Sequence, residues 1–204
     1  MRGVFFKILS LTLILTLMVI TGLAWATSPG DVVKSTVDEV IRLLNNPGLK
    51  VPEQKKRILQ QVKQVVDRRF DYEEMAKRSL PNWNQLNATQ RREFVSLFSE
   101  LLATSYADKL AKYSGEKVTY QGDRVEGDLA EVTTMLVRTN DRIPINYRLI
   151  NKSDWVVYDV IIEGVSLVNN YRSQFTRVIG ESSYSELVRR LQAKVEEQRR
   201  AGSL

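Results

Sequence analysis

The chain has neither cysteine nor histidine, and these two absences remove more chemistry than any residue present adds. Without them there is no Ser-His-Asp or Cys-His nucleophilic centre, no imidazole general base, and no thiolate or imidazole ligand set for zinc or copper. No disulfide framework can form, and no cysteine can carry the lipid of a bacterial lipoprotein anchor. Beyond the first 26 residues there is also no apolar run long enough to span a bilayer.

Those first 26 residues have the three parts of a secretory signal. Arg2 and Lys7 give a positive start, ILSLTLILTLMVI an apolar stretch, and Ala24-Trp25-Ala26 a small-x-small cleavage site. The apolar stretch falls short of the ~20 residues of a spanning helix, so cleavage after Ala26 is expected in preference to a retained membrane anchor. Residues 27–204 then form one domain, large enough for a sizeable core, with the bacterial periplasm as its expected location. The signal holds two of the 30 basic and none of the 24 acidic residues, so 28 against 24 remain, a net charge of +4. Acids interrupt the basic runs, as in KVEEQRR at 194–200, unlike the cation stripes interleaved with aromatics of a nucleic-acid binder. The excess reads as a well-solvated surface, with attraction to anionic lipid or an acidic partner as a secondary reading.

Hydrophobic period then divides the chain. Ser28-Pro29-Gly30-Asp31 is a helix entry, and Val33, Val37, Val40, Ile41 and Leu44 follow at helical spacing until Asn46-Pro47-Gly48. Val51-Pro52-Glu53 opens a second helix striped by Ile58, Leu59, Val62, Val65 and Val66, and Asp71 with Glu74 opens a short third that Pro81 ends. Asn87 with Gln90 starts the longest helix, whose Phe94, Leu97, Phe98, Leu101, Leu102 and Tyr106 form a broad apolar face. After Ser114-Gly115 the period becomes alternating in KVTYQG, LAEVTTMLVR, IPINYRLI and WVVYDVII. Turns at Gly122-Asp123, Asn140-Asp141 and Asn151–Asp154 predict four antiparallel strands in hairpins. Gly164 breaks the last strand, a helix from about Asn169 presents Tyr171, Phe175 and Val178, and Ser183 with Glu186 caps a final helix that frays from about Gln198. Helices, a four-stranded curved meander and helices again describe an α+β domain.

Chemistry is sparse. GVSLV at 164–168 begins like a nucleophile elbow, but Val168 replaces the second glycine and no histidine can activate Ser166. Asp159 and Glu163 fall on one side of a regular fourth strand, as a glycosidase pair would, although acids at strand spacing are more often paired with a neighbouring cation. Asp123, Glu126 and Asp128 lack calcium-loop spacing and fit a hairpin turn, and the sequon Asn87-Ala88-Thr89 fits a helix cap. What is abundant is apolar surface. Read as a regular strand, WVVYDVII puts Trp155, Val157 and Ile161 on one face and Val156, Tyr158, Val160 and Ile162 on the other, so neither face is plainly wet. The expected inner surface joins Val156, Tyr158, Val160 and Ile162 to Tyr120, Val132, Leu136, Ile145 and Tyr147, beneath Phe94, Phe98, Leu101 and Phe175. Such a space is either closed core or an elongated apolar pocket.

The string from Trp155 to Phe175, WVVYDVIIEGVSLVNNYRSQF, closely resembles the signature of the MlaC family, the toluene-tolerance auxiliary family of ABC transporters. FDYEEMA at 70–76, ATQRREF at 88–94, FSELLATSY at 98–106 and the terminal LVRRL also resemble family segments, in the same order. The family usually has Leu-Gly where this chain has Leu80-Pro81, a departure in local loop geometry. The resemblance implies a non-enzymatic periplasmic phospholipid carrier, without cofactor or metal, that maintains outer-membrane lipid asymmetry. Its implied partners are an outer-membrane lipoprotein–porin complex and an inner-membrane ABC transporter carrying an MCE domain; a monomer is expected, and no nucleic acid. It implies that helices and sheet surround an acyl-chain pocket, favouring pocket over closed core, with the surface given above and Tyr106 as lining. Arg91 and Arg92 are the expected headgroup rim. The competing reading is a periplasmic adaptor of an ABC transporter with a closed core and no lipid cargo.

Overall fold

A computed structural model describes residues 27–200, and the expected secretory signal lies outside the described residues. The N-terminal half is helical: α1 (Pro29–Leu44), a 3-10 turn at Pro47–Lys50, α2 (Pro52–Asp67), α3 (Tyr72–Ser79) and α4 (Ala88–Ala111). Apart from α2, which has Pro52 in its first turn and no side-chain cap, the α-helical starts follow from their caps. Ser28 accepts from the Asp31 amide with Pro29 in the first turn, Asp71 accepts from Glu74, and Asn87 with Gln90 forms a reciprocal capping box. Among the described residues no helix is long and apolar enough to cross a membrane.

The sheet is a meander of β1 (Lys117–Glu126), β2 (Leu129–Val137), β3 (Arg142–Asn151), β4 (Trp155–Ile162) and a two-residue β5 (Val165–Ser166), all antiparallel in chain order. The expectation of four strands therefore gains a short fifth, because Glu163 and Gly164, at φ 51° and 80°, turn the chain back in a two-residue hairpin. The first turn lies at Gly127 and Asp128, five residues later than expected. Gly122 instead continues β1 past a bulge at Gln121, its φ of 145° open to glycine. Ser166 caps α5 (Leu167–Glu181) by accepting from the Asn169 amide, so that helix begins two residues earlier than its spacing suggested. The final helix α6 (Tyr184–Arg200) does not fray at Gln198, which accepts a 2.5 Å hydrogen bond from Thr104 of α4.

A second bulge matters more. Arg148 pairs with Asp159 and Leu149 with Val157, which leaves Tyr158 as an extra residue in β4. An extra residue reverses the alternation beyond it. Val160 and Ile162 thereby share a face with Trp155 and Val157, contrary to the regular reading, and Tyr158 turns to the opposite side.

Three apolar clusters result. The first joins Met75, Leu80 and Trp83 to Phe94, Phe98 and Leu101 of α4, Phe175 of α5 and Leu187 of α6, reaching the sheet at Tyr158 and Ile150. A second packs Val32 and Val33 of α1 against Ala130, Val132, Leu149, Trp155, Val157 and Val160. In the third, Leu44 and Leu49 meet Ile58, Leu59 and Val62 of α2 and Ala107 of α4. Phe70 packs against both the first and second, and its backbone bridges to Val157.

Candidate functional site

The bulges decide which expected pocket residues meet. Phe94 and Phe98 are fully buried, their rings 5.9 Å apart, and Phe175 closes on them edge-on at 5.6 and 5.7 Å. Tyr171 adds a fourth ring 5.1 Å from Phe98, so with Leu101 this part of α4 is filled by α5 and α6. Tyr106 packs against the same cluster, with the Lys109 ammonium 4.9 Å from its ring. Of the sheet residues with which the sequence grouped them, these side chains share a cluster with Tyr158 alone. Val132, Ile145, Tyr147, Val160 and Ile162 lie in the second cluster, under α1. Tyr120 belongs to this face too, its phenol beside Gly30 and donating to Asp123. Tyr158 and Val156 point the other way, and the Arg78 guanidinium lies 4.2 Å over the Tyr158 ring.

On the α1 face, side chains stack in rows across the strands. Val132, Tyr147 and Val160 are in register, followed by Thr134, Ile145 and Ile162, and then by Val118, Leu136 and Ile143. Burial falls along these rows. At the Trp155 end Val32 and Val33 seal Ala130, Leu149 and Val157, whereas Leu136, Ile143, Ile145, Tyr147, Ile162 and Val118 are only half-buried. Val37 of α1 packs against this sheet, and half-buried Val40 and Leu43 continue along the helix toward the third cluster. The result is an apolar strip flanked by α1 and open at one end. Enclosure in this surface holds the Tyr147 phenol in its neutral form, its pKa pushed up to about 12, with neighbouring Thr134 acting in the opposite sense.

The opposite face is polar. A cavity of about 610 Å³ is lined there by Arg124, Glu126, Glu131, Thr133, Arg148 and Tyr158, among others. Glu131 accepts from Asn146 at 2.8 Å and Arg148 at 3.2 Å, and a second Arg148 nitrogen lies 3.6 Å from Asp159. Asp159 is buried, accepting from the Ser166 hydroxyl at 2.7 Å and the Val168 amide at 3.1 Å. Its two oxygens are therefore engaged in tying β4 to the start of α5, while Glu163 sits exposed in the hairpin turn. Among the described residues no group of three or more carboxylates is placed to hold a metal ion.

Arg91 and Arg92, the expected headgroup rim, sit in the first turn of α4. Arg91 donates toward the carbonyls of Trp83 at 3.3 Å and Asn84 at 3.5 Å, its guanidinium 5.4 Å from the Trp83 ring. Arg92 is exposed and donates to Thr89. The strip under α1 is built by other elements. Docking of α1 was not legible, although Gly30 is a signal of it in retrospect: a Cβ there would stand 2.6 Å from the Tyr120 hydroxyl oxygen. Nor was the Glu131–Arg148–Asp159 chain, because its members come from three strands.

Comparison with known proteins gives this geometry relatives. The intermembrane phospholipid transport system binding protein MlaC of Haemophilus influenzae is 26% identical over 117 residues, 54% of this chain and 55% of that protein, so the match spans about half the length of each. A solved structure of a phospholipid-binding protein from Ralstonia solanacearum, in complex with a phospholipid, shares the fold with a TM-score of 0.75. It is 24% identical, and the match covers 84% of this chain and 98% of that one. The family model described as MlaC protein matches residues 34–193, well over half of the sequence, and the chain belongs to the MlaC family.

Proposed function

We propose that this chain is a periplasmic phospholipid carrier that moves lipid between an outer-membrane lipoprotein–porin complex and an inner-membrane ABC transporter with an MCE domain. The observation that carries the reading is the half-buried apolar strip between α1 and the sheet, in a member of this family. The name of the Haemophilus relative and the phospholipid bound in the Ralstonia structure support the cargo class. Acyl chains lie on Leu136, Ile145, Tyr147 and Ile162 beneath Val37. The Phe94, Phe98 and Phe175 cluster serves as permanent core, and Arg91 holds the Trp83 loop. Each methylene removed from water contributes about 0.8 kcal/mol, so two tails supply ample driving force without a specific headgroup contact. No covalent step is required. Release needs α1 to move relative to the sheet, with the acceptor favouring the opened form through its own contacts.

The test is direct. Mature protein purified from cells and extracted with organic solvent should yield phospholipid in stoichiometric amount by mass spectrometry. Ile145→Trp or Val37→Trp, which fill the strip, should lower the yield several-fold while circular dichroism stays unchanged. An empty wild-type protein that still binds transporter components would establish the adaptor reading instead.

A further inference from the structure

The weak overall charge conceals a polar distribution. Three segments separated in sequence come together at one end of the molecule. The third apolar cluster holds the 3-10 turn and the start of α2 against the last turns of α4 through Leu49, Ile58, Leu110 and Tyr113. From α4 the chain runs directly into β1, where Lys117 pairs with Val137 and Val137 with Arg142, so the β2–β3 hairpin lies beside it; Arg138 pairs with Glu116 at 3.3 Å.

Residues 50–57 bring Lys50, Lys55, Lys56 and Arg57, and residues 108–117 bring Lys109, Lys112 and Lys117. The hairpin adds Arg138 and Arg142. This end thus carries nine of the 28 cations of residues 27–204 but four of the 24 acids, Glu53, Asp108, Glu116 and Asp141, a net +5 in a domain of +4. Everything else is close to neutral. Among the described ion pairs only that of Arg138 engages one of the nine. Val51, next to Lys50, is 39% exposed, and the open end of the apolar strip, at Val118, Leu136 and Ile143, borders the same end.

We infer that this end docks on a bilayer surface through anionic phospholipid headgroups, presenting the mouth of the strip to the membrane. Six of the nine cations are lysines, hydrated point charges on flexible stems, suited to a diffuse surface potential; geometric recognition of fixed carboxylates favours the arginine fork. An exposed valine among them, beside an apolar opening, fits a lipid interface better than an acidic protein face. The inference rests on the carrier reading for its purpose but not for its test.

The experiment uses the mature full chain and sedimentation with phosphatidylethanolamine vesicles prepared with and without phosphatidylglycerol. Binding should need phosphatidylglycerol and fall steeply with salt. The triple variant Lys50→Glu, Lys56→Glu, Lys112→Glu, all exposed positions, should bind on the order of a hundredfold more weakly. The same charge change at Lys77, Arg177 and Arg189, exposed on α3, α5 and near the start of α6, should leave binding unaltered. Equal binding with and without phosphatidylglycerol, an unaffected triple variant, or no vesicle binding at all would overturn the inference, whatever acidic protein is then captured. Lipid extracted from the same preparations separates the two readings. A loaded protein that ignores vesicles loses only the docking surface, and an empty one that binds them loses only the cargo.

Discussion

Asp159 shows how far a single carboxylate can be from the role its spacing invites. Its oxygens accept from Ser166 and Val168 while Arg148 approaches from the polar face, so truncation leaves a buried amide and a cation without their partner. Asp159→Ala should therefore cost about 2–3 kcal/mol in urea unfolding, and lipid content per folded molecule should not change. Arg91→Ala should cost about 1 kcal/mol by loosening the Trp83 loop, again without loss of lipid; a selective loss of lipid would restore it to the headgroup rim. Tyr147 is one of the tyrosines whose burial makes stability fall at alkaline pH. Its folded pKa of about 12 lies above the unfolded value near 10, so the folded state holds the proton more tightly. The associated stability is fully present below pH ~10 and is lost as pH rises toward the folded value. Tyr147→Phe should make that alkaline decline shallower, with Tyr106 contributing to what remains, measured by thermal unfolding across the pH range.

At the scale of elements, the β4 bulge is the feature on which the arrangement of side chains turns. Deleting Tyr158 would remove the extra residue yet leave Val160 and Ile162 under α1, so the variant should still melt cooperatively and lose only the packing of Tyr158 on the helical cluster and Arg78, about 3 kcal/mol. Asn87→Ala should be far milder, about 1 kcal/mol, because it removes one half of a capping box at an exposed helix end. Helix starts were readable because caps act within three residues: Ser28, Asp71 and Asn87 each accept from the amide three positions on. Strand identity was readable from alternation, and the family from its long motif. The side on which each β4 residue lies was not, because a bulge depends on register with β3, which no local pattern in WVVYDVII encodes. The expected pocket failed as a unit for that reason and because the phenylalanines of α4, assigned to a roof, are filled by α5 and α6. Of its sheet half, Val132, Ile145, Tyr147, Val160 and Ile162 share one surface, while Val156 and Tyr158 face the other way.

For the whole molecule, export can be checked by N-terminal sequencing of the protein recovered from cells, which should begin at Thr27. The division into clusters bears on how the domain breathes. Phe70 is the side chain packed against both the helical cluster and the sheet cluster, and its bridge to Val157 is the main-chain stitch beside it. Tyr158 and Ile150, with the Asp159 bonds to Ser166 and Val168, also join β3 and β4 to the helical body, so it is the part of the sheet under α1 that can soften separately. In hydrogen exchange, amides of β2 and β3 should open by fluctuations that leave α4 and α6 protected, and Phe70→Ala should widen that gap in protection. The domain then behaves as a rigid handle carrying a compliant jaw, and a cargo can be let go without the handle ever unfolding.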